Sequence, residues 1–499
     1  MADIDLHNET DPERLRQVAI LQDAEIGKLH EVVARLATEV DKLKETKHGQ
    51  LQQELREVKD FVNRLQHLQF GRSSEKRTTG TRKRRRKRRT PAPQTDLPIV
   101  EEVLELDEPD KICPECGDPL DEMGNCSEDS EMVEVVERSF FVKKVRRQKY
   151  RCRCGHIEAA LGPPKLRGTQ RYTPEFALEV ATNKYLDHLP LERQARRMAR
   201  QGLKVSSQTL WDQLDRLGDH IHATYEGIGQ WIRGGDVMGM DETPWPHIKK
   251  GGANNWQLWV LRGRGAAWYA LRDSRSGEVA QELMGDFSGW LVTDALKSYD
   301  KAVRRSEKVV RQAGCWSHAR RKFVECEDNR PKACGEILDL IGALYEIESR
   351  ARDPDEGWEL GAWRAHLRET ESAHILGQID AWRNRQTALP KSGFGKALNY
   401  LKTNWTRLTK FVEHPEVWID NNATERAIRG PVLGRKNYNG CRSPRGMQVA
   451  AMLYTIFETA KICTEDPRDY LRRVVEADIH DEGTVTMPKV FEEVRGDLT

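Results

Sequence analysis

Three acids in this chain stand where their chemistry needs explaining. "DVMGMDETPW" runs through alternating apolar residues to Asp241, and "GWLVTDALKSYD" runs through an apolar segment to Asp294. Each carboxylate sits at the tip of a strand whose preceding side chains must be buried. Two such acids side by side repel each other, and both ionise readily only with a cation between them. An all-oxygen site of this kind suits Mg²⁺ or Mn²⁺, with substrate phosphates completing the shell. A third acid from a helix packed on the sheet would allow two ions about 4 Å apart, an arrangement suited to phosphodiester chemistry. Taken singly, either Asp also fits a strand-end turn. In "VWIDNNATERAIRG", Glu425 opens a helix behind Asn421 and Asn422, which read as turn and cap residues. Arg429, one turn on, offers Glu425 an ordinary surface pair instead of a chemical role.

A second constellation is thiol-based. "CPECG" places Cys113 and Cys116 two residues apart, and "YRCRCGH" places Cys152 and Cys154 about forty residues later. Two such knuckles can hold one tetrahedral, structural Zn²⁺ with no open coordination position. The second pair is one residue short of the usual spacing, which makes Cys126 and His156 stand-ins for the fourth ligand. Four buried thiols without metal is the other reading. Ten cysteines in a long chain that reads as intracellular point to metal ligands and buried thiols rather than a disulfide framework.

The cations cluster too. In "LPLERQARRMARQGLKVSSQTLWDQLDRL", Arg193, Arg196, Arg197 and Arg200 share a helix that stops near Gly202. Ser206 or Ser207 then caps a second helix holding Leu210, Leu214 and Leu217. As a helix-turn-helix, the start of that second helix would enter the major groove. As a plain helical hairpin, the arginines form a solvated face. "CWSHARRKF" sets His318 beside Arg320, Arg321 and Lys322, a phosphate-binding face in which His318 alternatively caps a helix. Trp316 reads as core or as a stacking platform for an unpaired base. Arg426, Arg429 and Lys436 are candidate phosphate contacts, which position DNA without reading its sequence.

The elements that must position these groups are legible in outline. A chain of 499 residues, 32% charged and 38% hydrophobic, suggests about three domains. The net charge of +2 conceals segregation: residues 82–89 read "RKRRRKRR" and 101–110 read "EEVLELDEPD". With no apolar run of membrane-spanning length and an acidic, polar start, neither a membrane span nor a signal peptide is expected. Residues 13–70 carry 3,4-spaced apolar positions in two registers, a coiled coil for oligomerisation or an amphipathic hairpin. Residues 71–110 read as a disordered basic linker, able to neutralise phosphates or act as a spacer. A zinc domain at 111–160 and a helical segment at 165–232 follow. From 233 the pattern is three meandering strands, then helix and strand in alternation, with a helical stretch at about 330–415. Helices resume over 431–499. The fold class is multidomain α+β.

Several of these blocks occur together in a known order. "FGRSSEK" at 70–76, "CPECG", "YLDHLPLERQ" at 185–194, "DETPW" at 241–245, "CWSHARRKF" at 315–323, "IDNNATERAIR" at 419–429 and "GRKNY" at 434–438 resemble the DDE transposases of the insertion-sequence-sixty-six family. The resemblance spans nearly the whole chain. It implies an RNase H-like catalytic domain over 233–430, with the helical stretch inserted before the last acid. It makes Asp241, Asp294 and Glu425 the metal-binding triad, with Asp300 the rival for Asp294. Two Mg²⁺ or Mn²⁺ ions, a structural Zn²⁺, double-stranded DNA at element ends and target, a homo-oligomer and accessory proteins of the element are further implications. So is a bacterial cytoplasmic, nucleoid-associated location. A zinc and helix-turn-helix regulator with an inactive RNase H-like domain is the alternative from another class. A nuclease or junction resolvase of the same fold is the alternative among enzymes.

Overall fold

The computed structural model of the chain describes Asp118 and residues 140–491, except 155, 168–170 and 250–251. The expected coiled coil, the basic linker and Cys113, Cys116 and Cys126 lie outside the described residues. The chain divides into two compact units, Met1–Ser130 and Glu131–Thr499, and the elements below belong to the second.

A short antiparallel hairpin comes first, β1 (Lys149–Arg151) with β2 (Ile157–Ala159), paired Lys149↔Ala159 and Arg151↔Ile157. Helix α1 (Pro174–Ala181) starts on a Thr173 cap with proline at its first position, where a missing N–H costs nothing. A π-turn at Thr182–Leu186 and α2 (Leu191–Arg200) follow. Helix α3 (Ser207–Arg233) begins where expected, with Thr209 N donating to Ser206 Oγ at 3.1 Å. It does not stop as a short recognition helix would. Its apolar stripe runs on from Leu210, Leu214 and Leu217 to Ile221, Ile228 and Ile232, all buried, so that α3 is a spine of the main core. Its opposite face stays toward solvent, with Gln208, Asp219, His222 and Gln230 exposed.

A five-stranded mixed sheet carries Asp241 and leads into Asp294. Strands β3 (Val237–Lys249), β4 (Gly252–Gly263) and β5 (Ala266–Arg272) form an antiparallel meander. After α4 (Gly277–Met284), β6 (Gly289–Val292) pairs parallel with β3, and after α5 (Lys297–Arg305), β7 (Val310–Ala313) pairs parallel with β6. The order is β5-β4-β3-β6-β7. Strand β5, "AAWYALR", is buried along all but its last residue, as a strand covered on both faces must be.

From β7 the chain enters α6 (Trp316–Val324) and a helical block of α7 (Pro331–Arg350), α8 (Leu360–Leu367), α9 (Ala373–Arg385), α10 (Gly393–Thr403) and α11 (Trp405–Glu413). This block fills the span where a helical insertion was expected. Its core around Trp316, Phe323, Ile337, Ile341, Trp382 and Phe394 is continuous with Val237, Trp290, Val292 and Ala313 of the sheet. The buried Arg368 donates from Nε and Nη2 to the Glu348 carboxylate at 2.7 and 2.8 Å. Its Nη1 faces the carbonyls of Phe411, His414, Pro415 and Val417, gathering the return strap at the end of α11.

The strap leads into α12 (Asn422–Tyr438), then α13 (Pro444–Ile462) and α14 (Pro467–His480). The segment expected as a helical tail is helical, but α13 is buried along nearly its whole length against β5 and α3, as an all-round apolar helix must be. Its threonines meet the sheet margin. Tyr269 N donates to Thr455 Oγ1 at 3.0 Å, Ala267 N donates to Thr459 Oγ1 at 3.2 Å, and Thr459 Oγ1 donates to Ala267 O at 3.0 Å. Among the described residues no helix is long and apolar enough to cross a membrane.

Candidate active site

The parallel register pairs Gly239 of β3 with Val292 of β6. Asp241 and Asp294 each lie two residues beyond that pair. Asp241 is not the strand tip expected of it, because β3 runs on to Lys249 in its pairing with β4, and Asp294 lies just past the end of β6. Burial, then the neighbouring Glu242 charge, pushes the Asp241 carboxyl up to about 7, with Asp294 and Glu425 adding to the rise. The Glu242 N–H donates to Asp241 Oδ1 at 2.9 Å and opposes this in part. Burial and Glu242 likewise push Asp294 up to about 6, against the pull of the Leu296 N–H and Arg275. Asp294 Oδ1 is buried and takes part in no hydrogen bond among the described residues. Two desolvated, mutually repelling carboxylates with an orphaned oxygen fit a hard divalent cation.

Glu242 is a member of the site that the sequence reading missed. Its side chain is buried, accepting from Arg275 Nη2 at 2.9 Å and from the Tyr299 hydroxyl. The signal was its position next to Asp241 in a strand with both faces covered, but adjacency to a stronger candidate hid it. Asp300, the rival acid, lies on α5, paired with Arg407 at 2.9 Å and accepting from Gln312 Nε2 at 3.1 Å.

Glu425 stands in the first turn of α12, whose start is seated directly on β3. A side chain at Gly239 would overlap Thr424 Oγ1 and Asn421 Oδ1, so the close approach requires glycine. Asn421 does not cap α12 with its side chain; its Nδ2 donates instead to Met240 O at 2.9 Å, and its N–H to Cys315 Sγ at 3.2 Å. Asp420 accepts from Asn422 N at 3.0 Å and from the Tyr345 hydroxyl of α7 at 2.8 Å. The partners of Glu425 come from α6. Arg321 Nη2 lies 3.2 Å from Oε2, and His318 Nδ1 lies 3.5 Å from Oε1.

Cys315, His318 and Glu425 present ligand atoms all within 4.8 Å of one another, and burial pushes the Cys315 thiol up to about 12. Among the described residues Asp241 and Asp294 join no such group with Glu425. Ligands shared between two ions about 4 Å apart would spread beyond one such sphere.

The expected DNA contacts fall into two sets. Around the acids, Arg320, Arg321 and Lys322 are half-buried, with Lys322 Nζ 4.9 Å from the Tyr400 ring centre. Arg426, Arg429 and Lys436 are exposed along α12. Trp316 is fully buried and donates from Nε1 to Leu408 O at 2.8 Å, a core position with no face for a base. On α2, Arg193, Arg196 and Arg200 are exposed, while Arg197 turns inward to Asn183 Oδ1 at 2.8 Å and Glu179 at 3.5 Å. Ser207 is half-exposed at the start of α3.

Cys152 and Cys154 are exposed thiols in the β1–β2 loop, where Cys152 N donates to His156 O at 2.8 Å. Hydrogen bonds from Cys154 hold the Cys152 thiol below its ordinary range. An open loop presenting two thiols fits one of the two knuckles of a zinc site.

Comparison with known proteins agrees with this layout. Residues 110–155 match the zinc-finger binding domain of transposase IS66, a span that encloses Cys113, Cys116, Cys152 and Cys154 and ends before His156. Two uncharacterized proteins of Sinorhizobium fredii (strain NBRC 101917 / NGR234) are similar along most of their length. One, y4qI, is 27% identical over 480 residues, covering 89% of this chain and 86% of the relative. The other, y4jD, is 26% identical over 410 residues, covering 78% of each. Residues 169–449, holding the sheet, Asp241, Asp294 and Glu425, match the Transposase IS66 family, and the chain belongs to that family.

Proposed function

We propose that this transposase cuts DNA at the ends of an insertion sequence and transfers the freed 3′-hydroxyl to target DNA by DDE phosphodiester chemistry. The observation that carries the reading is the pair of desolvated aspartates, Asp241 in β3 and Asp294 just past the end of the parallel β6, with Glu425 brought beside them by α12. A three-stranded antiparallel meander extended by two parallel strands supports an RNase H-like core.

Asp241, Asp294 and Glu425 would hold Mg²⁺ or Mn²⁺. When bound, the ions lower the pKa of the attacking water or hydroxyl and stabilise the leaving oxygen. With its carboxyl near 7, Asp241 carries a partial proton at neutral pH and releases it to solvent as the site fills. Arg321 balances the Glu425 charge from α6, with His318 beside it. Arg320, Lys322, Arg426, Arg429 and Lys436 are assigned to phosphates near the acids, and Arg196, Arg200 and Ser207 to DNA held by α2 and the start of α3. Arg197, committed to Glu179 and Asn183, supports α2 from behind. Cys113, Cys116, Cys152 and Cys154 are the proposed ligands of the structural zinc. The N-terminal coiled coil would pair protomers so that two ends are held together.

The test is strand cleavage of end-containing DNA by the full chain in Mg²⁺, with accessory proteins of the element present. Asp241→Asn, Asp294→Asn and Glu425→Gln should each lower cleavage by about 100-fold or more while gel-shift binding persists. Binding without any cutting by the wild type would replace this reading with a DNA-binding regulator. Cutting without joining would replace it with a nuclease.

A further inference from the structure

One set of metal-type ligands lies beside the acid pair without belonging to it. Cys315 links β7 to α6, His318 sits in the first turn of α6, and Glu425 in the first turn of α12. Their ligand atoms lie within 4.8 Å of one another, and His318 Nδ1 is already 3.5 Å from Glu425 Oε1. Tetrahedral zinc-type coordination sets ligand atoms roughly 3.3–3.8 Å apart, so the set closes with a movement of about 1 Å. The Asn421 N–H holds Cys315 Sγ at 3.2 Å, tying the thiol to the start of the Glu425 helix. Arg321 engages Oε2 of Glu425, and Oε1 is buried and accepts no hydrogen bond among the described residues. Sulfur, imidazole nitrogen and one carboxylate oxygen make a soft-to-borderline donor set. It is opposite in character to the oxygen-only pair of Asp241 and Asp294.

We propose that Cys315, His318 and Glu425 form a site for a zinc-class divalent cation, and that filling it holds Glu425 away from Asp241 and Asp294 and switches strand transfer off. The switch rests on the function proposed above; the site does not. On binding, the Cys315 S–H bond breaks, its proton passes to solvent and the sulfur lone pair forms the metal–sulfur bond. Three protein ligands leave the fourth position to water. Mg²⁺ prefers oxygen and does not compete for the thiolate, so the kind of cation present decides which partners Glu425 keeps.

The site is tested on the full chain with its zinc finger already loaded, titrated with Co²⁺, whose thiolate charge-transfer absorption reports sulfur ligation. Wild type and Asp241→Asn should take up one further equivalent with that absorption. Cys315→Ser keeps an acceptor for the Asn421 N–H, and His318→Ala provides a second variant should the serine disturb packing. Both should bind that equivalent at least about tenfold more weakly. Equal uptake and equal absorption across all four proteins overturn the site. The switch is tested by adding Zn²⁺ to Mg²⁺-driven cleavage, with each protein compared to its own zinc-free rate. Wild type should be inhibited at zinc concentrations at least about tenfold below those needed for Cys315→Ser. Equal sensitivity overturns the switch. A wild type that never cleaves takes the switch down with the catalytic reading, while cobalt uptake still decides the site.

Discussion

Glu242 governs the protonation of its neighbours more than any other charged residue does. It is the largest electrostatic contribution raising both Asp241 and Asp294. Replacing it with glutamine removes a like charge, so both carboxyls fall toward their ordinary range. In Glu242→Gln the acid limb of Mg²⁺-dependent cleavage should therefore move to lower pH in a rate profile between pH 5 and 9. Asp241 makes a separate stability prediction. Its carboxyl is raised from 3.8 to about 7, so the folded state binds the proton more tightly than the unfolded chain. That contribution is fully present below about pH 4 and is lost as pH rises through about 7. In Mg²⁺-free buffer, thermal melts of Asp241→Asn should thus fall less between pH 5 and pH 8 than those of the wild type. Asp294 was legible because an apolar strand pattern marks its own end, and Asp241 because the apolar alternation stops at it, although β3 itself runs on to Lys249. Glu242 was not, because an acid in mid-strand reads as a solvated residue until the strand beyond it is known to be covered. The partnership of Glu425 with Arg321 and His318 was hidden for a different reason: 104 residues separate Arg321 from Glu425, and helical spacing advertises only the local Arg429.

At the scale of elements, helices were easier to find than to interpret. The segment from Ser207 reads as the second helix of a helix-turn-helix for as long as attention stops at Leu217. The apolar stripe continuing to Ile232 makes α3 a core spine rather than a short recognition helix. The insertion shows the converse. Its helical pattern was plain, but no periodicity reveals that Arg368 is buried or that it gathers the carbonyls of the strap before α12. Together with the Tyr345–Asp420 hydrogen bond, that residue makes the insertion a support for the segment leading to Glu425. Arg368→Met should leave Glu348 buried without its counter-ion and cost about 3–5 kcal/mol in denaturant unfolding. The double variant with Glu348→Leu should recover part of that loss, and an unaltered single variant would contradict the assigned support.

For the whole molecule, a net charge of +2 says little about DNA, because the cations act where they are clustered. Changing the exposed Arg193, Arg196 and Arg200 together to alanine should weaken binding similarly for cognate and unrelated duplexes. It should also make the slope of log affinity against log salt shallower by roughly 2–3. An unchanged slope would remove α2 from the interface. The two threonines of α13 matter on this scale as well. Strand β5 is the end of the sheet, and its outward N–H groups at Ala267 and Tyr269 are the kind that template pairing with a second molecule. Thr455 and Thr459 occupy both, so this edge is sealed from within by side-chain hydroxyls rather than guarded by surface charge. Copies of the chain are thereby kept from pairing through this sheet, and aggregation at this edge would first require α13 to peel away.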